Sequence, residues 1–148
     1  MTNEIQSQRP KEIDAEILRF QNNYEKWISI VGLVNKKPYE IYTGLADDFW
    51  IPVSIREWKI IEKKLEDNVT RYDFQFKDEN EYKITMEGLS KSFNKEYWNH
   101  SKFVSSLLKN NVSLEAIASS LKNITFEVDS LENWKKAITA TLEYYMKK

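Results

Sequence analysis

The sequence predicts an α+β fold: two antiparallel β-hairpins forming a sheet, followed by about three C-terminal helices packed on it. Three observations predict it. The first half alternates apolar and polar side chains, the period of a half-buried strand. The second half spaces its apolar residues by three and four, the period of an amphipathic helix. Turn-forming stretches, Val34 to Pro38 and Asp78 to Glu81, fall between strand runs. Strands first and helices after is the order of a sheet covered by a separate helical layer.

Residues 1–12 are polar, include Pro10 and read as a flexible N-terminal arm. A single domain is expected over 13–148, with its sheet part at about 13–87 and its helical part at about 91–147. Ile13 to Phe20 predicts the first strand. In Lys26 to Leu33 the residues Trp27, Ser29, Val31 and Leu33 share one face. Val34 to Pro38 turns the chain and Tyr39 to Thr43 runs back, which is a hairpin pattern. Gly44 ends that strand. Leu45 to Trp58 reads as irregular or as a short helical turn, and Trp58 to Lys64 as a further strand. Arg71 to Lys77 alternates strictly, with Tyr72, Phe74 and Phe76 together. The polar turn Asp78-Glu79-Asn80-Glu81 leads to Tyr82 to Met86, a second hairpin.

The helices follow. Phe93, Tyr97, Val104, Leu107 and Leu108 fall near one face of a helix ending at Asn110-Asn111. Ser113 is placed to cap the next helix, whose apolar set is Leu114, Ile117, Ala118 and Leu121. Asp129 with Glu132 predicts a capping box for the last helix. Its stripe is Leu131, Trp134, Ile138, Leu142 and Tyr145.

Composition bounds the function. The 148 residues carry 22 basic and 23 acidic side chains and a net charge of −1. That balance points to neither nucleic acid nor an anionic membrane as partner. Four of the 22 basic residues are arginine, the side chain best suited to gripping phosphate in two places. No apolar run approaches the ~20 residues that span a bilayer, and the first residues lack the pattern of a secretory signal. The chain is expected in the cytoplasm, or in a virion assembled there.

There is no cysteine and one histidine, His100. No disulfide, thiolate metal site or Cys-His pair can be built, and His100 is expected to pack and not to catalyse. Asp47-Asp48 could chelate a cation but reads more simply as an acidic helix start. Asp78 to Glu81 lacks the glycine and the ligand spacing of a calcium loop. Gly88-Leu89-Ser90-Lys91-Ser92 has one glycine where a phosphate loop needs two. No catalytic residue, metal ligand or cofactor is therefore expected, and the chain reads as not an enzyme.

The aromatic residues are the better lead. Five tryptophans are present, and large aromatics anchor interfaces. Trp50 and Trp58, in the irregular segment, are the candidate exposed anchors. Tyr72, Phe74 and Phe76 could stack bases on a sheet face. The ordinary expectation is that this face is buried beneath the helices, and the mixed charges around it argue against nucleic acid. An oligomer is also compatible with the sequence.

Longer stretches carry a family likeness. Phe20 to Trp27, Lys37 to Gly44, Arg71 to Phe76, Glu87 to Asn99 and Asn133 to Lys136, in that order, resemble the C-terminal accessory region of adenosylcobalamin-dependent ribonucleotide reductases of the Bacteroidetes type. The segment Asn111-Val112-Ser113-Leu114-Glu115 after the hairpin and helix also resembles the small accessory domain named for its Thr-Ser-Cys-Pro-Asp signature. The resemblance implies a fold and a history but carries over no catalytic residue. The signature cysteine, the redox cysteines and the cysteine-rich tail have no counterpart, and without a thiol the chain cannot relay reducing equivalents. It implies a detached, cysteine-free module acting by binding a larger protein, the reductase large subunit. The alternative is a structural or assembly component of a phage virion, bound to other virion proteins. A single-strand nucleic-acid binder is the third reading.

Overall fold

The computed structural model describes residues 9–22, 24–48, 51, 52, 55 and 57–148, except for the side chains of Glu57 and Asp67. Six antiparallel strands come first: β1 (Glu12–Asn22), β2 (Glu25–Val34), β3 (Lys37–Leu45), β4 (Glu57–Lys64), β5 (Thr70–Lys77) and β6 (Lys83–Met86). Three helices follow: α1 (Lys95–Lys109), α2 (Leu114–Lys122) and α3 (Asp129–Met146). The strands form one sheet in the order β3-β2-β1-β4-β5-β6. The α+β reading, strands first and three helices after, is what the chain adopts.

Register explains which residues meet. Ile17 lies opposite Ile30, and Ile30 opposite Tyr42. Ile13 lies opposite Ile60, and Ile60 opposite Phe74. Because side chains alternate along a strand, these residues share one face with Glu40, Glu62, Tyr72 and Phe76. The opposite face presents Trp27, Ser29, Val31, Ile41 and Thr43. The sheet thus has two cores. One lies between the β1–β3 face and the helices and holds Trp27, Val31, Ile41, Trp134, Ile138 and Leu142. The other holds Ile30, Tyr42, Ile60, Phe74, Leu89 and Trp98.

The second core exists because the sheet curls. Tyr42 of β3 and Tyr72 of β5 are separated by three intervening strands, so a flat sheet would hold them ~19 Å apart at ~4.8 Å per step. Their ring centroids are 6.0 Å apart. Two local features permit the curl. β1 and β4 pair only over Glu12–Asp14 and Lys59–Ile61, so the two halves are free to diverge. Gly32 sits where an added Cβ would lie 2.5 Å from Ile13 Cδ1, and the β2–β3 register shifts just after it. Tyr72, Phe74 and Phe76 therefore face the inside of a curled sheet, closed over by Leu89 and by Trp98 of α1, where the sequence suggested burial under the helical layer as a whole.

The helix ends follow local chemistry. Asn94 Oδ1 accepts from the backbone N–H of Glu96 and Tyr97 at the start of α1. Ser113 Oγ accepts from Ala116 N, the cap expected for α2. The capping box expected at Asp129 does not form. Val128 occupies the cap position of α3 and Glu132 reaches further back, where its Oε2 accepts from Phe126 N at 2.6 Å.

α1 runs along the outer edge of β3. Ser105 Oγ accepts from Ile41 N and donates to Ile41 O, while Ser101 Oγ accepts from Thr43 N. Trp134 Nε1 of α3 donates to Thr43 O at 3.1 Å. Side chains thus stand in for a missing seventh strand and close an edge that would otherwise template pairing.

Candidate functional site: a basic groove over a buried ion triad

Glu40 lies on the concave face of β3, and its side chain is 0% exposed. A buried carboxylate requires partners, and two cations supply them. Arg9 grips it in two places, Nε to Oε2 at 2.5 Å and Nη2 to Oε1 at 3.0 Å. Lys109 Nζ, from the end of α1, lies 2.9 Å from Oε2. The remaining guanidinium hydrogens of Arg9 go to the carbonyls of Pro10, Lys11 and Ile60. Residues 9–12 of the expected flexible arm are therefore fixed, with Lys11 O also accepting from Glu62 N.

Burial alone would lower the pKa of both cations. The hydrogen bond and charge of Glu40 outweigh it, so Arg9 and Lys109 are both raised and stay charged. Two tyrosines border the triad. Arg9 and Lys109 each lie 5.5 Å from the Tyr72 ring centroid, and Lys109 is as close to Tyr39.

Above the triad opens a cleft of about 840 Å³. Arg9, Lys11, Lys63, Lys64 and Lys109 line it against Glu62. A second cleft of about 760 Å³ adjoins it, sharing Leu65 and Lys109 and adding Val69, Arg71 and Lys102. This groove, bounded by β4, β5 and the end of α1, is a polar concavity. Sequence reading missed it, because its charges come from five separate segments. One local signal was legible: Glu40 stands in phase with Tyr42 on a strand whose in-phase side chains point inward.

The residues singled out from sequence fall elsewhere. Trp50 lies outside the described residues. Trp58 is not in an irregular segment but is the second residue of β4, half-buried with its ring 5.3 Å from Phe74 and 6.2 Å from Phe76. Phe74 is 0% and Phe76 5% exposed, so neither can receive a base. Tyr72 is half-buried at the groove wall and is the one member of that trio that reaches the groove. The structure packs the rings of Trp58, Phe74 and Phe76 on one another, while Tyr72 packs on Tyr42 and Trp98, so the four form no open platform.

The weaker chemical leads are absorbed by local structure. His100 Nδ1–H donates to Glu96 O, and the ring packs edge-on against Phe126 and Trp134. Asp47 and Asp48 sit on a short 3-10 turn, where burial first and Asp47 second raise the pKa of Asp48. Asp78 Oδ1 accepts from Asn80 N and Tyr82 N and so fastens the hairpin tip. Gly88 adopts a left-handed φ of 73°, and its N–H donates to Asp73 Oδ1 at 2.8 Å, leaving it turned to a carboxylate already in place. Among the described residues no three His, Asp or Glu side chains converge as a metal site. No helix among them is long and apolar enough to cross a membrane.

Asp73 offers a direct check on this arrangement. It is buried, holds Arg71 in two places at 2.9 and 3.0 Å, and receives Gly88 N–H. Asp73→Ala orphans a buried N–H and is expected to cost about 2–3 kcal/mol in urea unfolding. Asp73→Asn keeps an acceptor for Gly88 and should cost less. Equal losses in the two variants would contradict the role given to the Gly88 bond.

The tyrosines set an alkaline limit. Tyr42 is raised well above its ordinary value, by burial first and by the charge of Glu40 second. Tyr145 is raised too, by burial and by donating its hydroxyl to Glu16. A phenol whose folded pKa exceeds its unfolded one, about 10, adds stability that is complete below the unfolded value. That stability is lost as pH climbs toward the folded values, because the unfolded chain releases protons first. The urea midpoint is expected to fall steadily above pH ~10, and less steeply in Tyr145→Phe. A midpoint flat across that range would contradict it.

The family model described as NrdJ homologue C-terminal domain matches residues 13–147, which is the sheet and all three helices. The chain belongs to that family. The match agrees with the likeness to the C-terminal accessory region of adenosylcobalamin-dependent ribonucleotide reductases and spans both cores. This NrdJ-related domain keeps a complete α+β scaffold with no cysteine anywhere in its sequence. Neither a curated protein nor a solved structure matches it significantly.

Proposed function

We propose that this NrdJ-related domain is a non-catalytic interaction module that acts by binding a larger protein, the large subunit of a ribonucleotide reductase. The observation that carries the reading is the family match over 13–147, which ties the whole fold to a reductase accessory region. Two features support the non-catalytic part. A chain without cysteine cannot take part in thiol or thiyl chemistry. Its single histidine has Nδ1 bound to a main-chain carbonyl and its ring clamped between aromatic neighbours.

The test is co-elution. The purified full chain, mixed with the reductase large subunit encoded in the same genome, is expected to shift into the large-subunit peak on size exclusion. It should bring no reductase turnover of its own. Failure to co-elute at micromolar concentrations, with and without nucleotides and cobalamin, removes the reductase reading.

A further inference from the structure

The groove carries a charge the molecule as a whole does not. The chain has a net charge of −1, yet five cations line the larger cleft against the single carboxylate of Glu62 among its described lining residues. Glu40 beneath is already held by Arg9 and Lys109. Clustered like charges raise the energy of a folded chain and attract counter-charge. Arg9 cannot serve a ligand, since its hydrogens are committed to Glu40 and to main-chain carbonyls. The surplus available to a ligand therefore sits on Lys11, Lys63, Lys64 and the partly exposed Lys109.

An exposed apolar pair stands where the two clefts meet. Leu65 and Val69 are 44% and 53% exposed, and the bond from Leu65 N to Val69 O closes the turn that presents them. Exposed aliphatic side chains ringed by ammonium groups suit an extended peptide that offers carboxylates around an apolar residue. They suit nucleic acid less well. Phe74 and Phe76 are buried, while Tyr39 and Tyr72 already carry cations at 5.5 Å, so no free stacking platform is offered. The ligand-facing cations are mostly lysines, point charges without the two-pronged phosphate grip of arginine. The groove is also open and polar, where small-molecule sites are enclosed and largely apolar.

We propose that this groove docks an acidic, leucine-containing segment of a protein partner, with carboxylates on Lys11, Lys63, Lys64 and Lys109 and the apolar side chain over Leu65 and Val69. The proposal rests on the interaction-module reading for the existence of such a partner and adds where and by what chemistry it is held.

The experiment uses the full chain and a fluorescent probe peptide of alternating Asp and Glu around two leucines. Controls are the same peptide with Asn and Gln in place of the acids, a labelled oligothymidylate, and ATP. Anisotropy should show the acidic peptide binding at least about ten-fold more tightly than its amide counterpart, with affinity falling as salt rises. The double variant Lys63→Glu/Lys64→Glu should weaken binding at least about ten-fold. Leu65→Ser should weaken it too, and Lys122→Ala, outside the groove, should not. Lys63 and Lys64 are exposed, so each variant is expected to fold, which circular dichroism checks before binding is measured. Equal binding of acidic and amide peptides overturns the proposal, as does an unchanged affinity in the double variant. Tighter capture of the oligothymidylate or ATP, lost in that variant, overturns it in favour of a phosphate ligand. The two readings separate cleanly. If the reductase large subunit binds the double variant as well as the parent, the groove fails and the reductase reading stands. If the acidic peptide binds but the large subunit does not, the groove stands and the reductase reading fails.

Discussion

Replacing Glu40 with methionine is expected to cost about 3–5 kcal/mol of folding stability, the usual penalty for removing one partner of a buried ion pair. The loss arises from what remains and not from what is removed. The Arg9 side chain is 5% exposed, so without Glu40 it is a buried guanidinium left with main-chain carbonyls, the Tyr72 ring and no paired carboxylate. Lys109 is 27% exposed and can swing to water, so Lys109→Met should cost least of the three single changes. Arg9→Met should fall between them, because Glu40 keeps Lys109. The triple variant Arg9→Met/Glu40→Leu/Lys109→Met removes every charge at once. Replacing a whole buried ion cluster by apolar residues is often neutral or stabilising by about 1–4 kcal/mol, so the triple variant should recover most of the loss. Urea unfolding followed by tryptophan fluorescence measures all four. If Glu40→Met stays within about 0.5 kcal/mol of the parent, the range of ordinary surface substitutions, the triad is not the buried unit described. A folded triple variant that no longer binds the acidic probe would separate the structural and docking roles of the same charges.

What could be read from the sequence was local. Strand alternation at Arg71 to Lys77 and the stripe Leu131, Trp134, Ile138, Leu142, Tyr145 depend on neighbours a few residues away, and both are found as expected. The Ser113 cap is a three-residue interaction and was legible for the same reason. The groove was not legible, because Arg9 and Glu40 are 31 positions apart and meet only once the sheet has curled. That curl is itself hidden in sequence: it needs the short β1–β4 pairing and a glycine at 32, and neither has a periodic signature. The misreading of Trp58 has the same origin. Masses of aromatic side chain suggest anchors, but an inward curl gives them a second core to fill, and Phe74 with Phe76 supplies the partners. The missed capping box shows a smaller version of the effect. Glu132 was expected to serve its own helix start, and the tertiary position of Phe126 drew it elsewhere.

Trp134→Ala is the second large effect, about 3–5 kcal/mol for emptying a core site of that size. Trp134 is 1% exposed and sits at the centre of the helical core. Its indole also completes the edge of β3, donating to Thr43 O while Ser101 and Ser105 serve Thr43 N and both main-chain groups of Ile41. Trp134→Phe isolates that part. It keeps most of the apolar volume but orphans a buried carbonyl, and about 1–3 kcal/mol is expected from that alone. The double variant Ser101→Ala/Ser105→Ala strips three more edge groups and should be at least as costly. A sheet edge whose hydrogen bonds are unmade is a template for another strand. The serine variant should therefore self-associate on mild heating, by light scattering, at temperatures where Trp134→Phe and the parent stay monodisperse. Two serines one turn apart in an otherwise apolar helix face were a readable sign of this contact, since a buried hydroxyl must find a partner. Wild-type stability in Trp134→Phe together with a monodisperse serine variant would mean that the helices cover β3 by apolar contact alone.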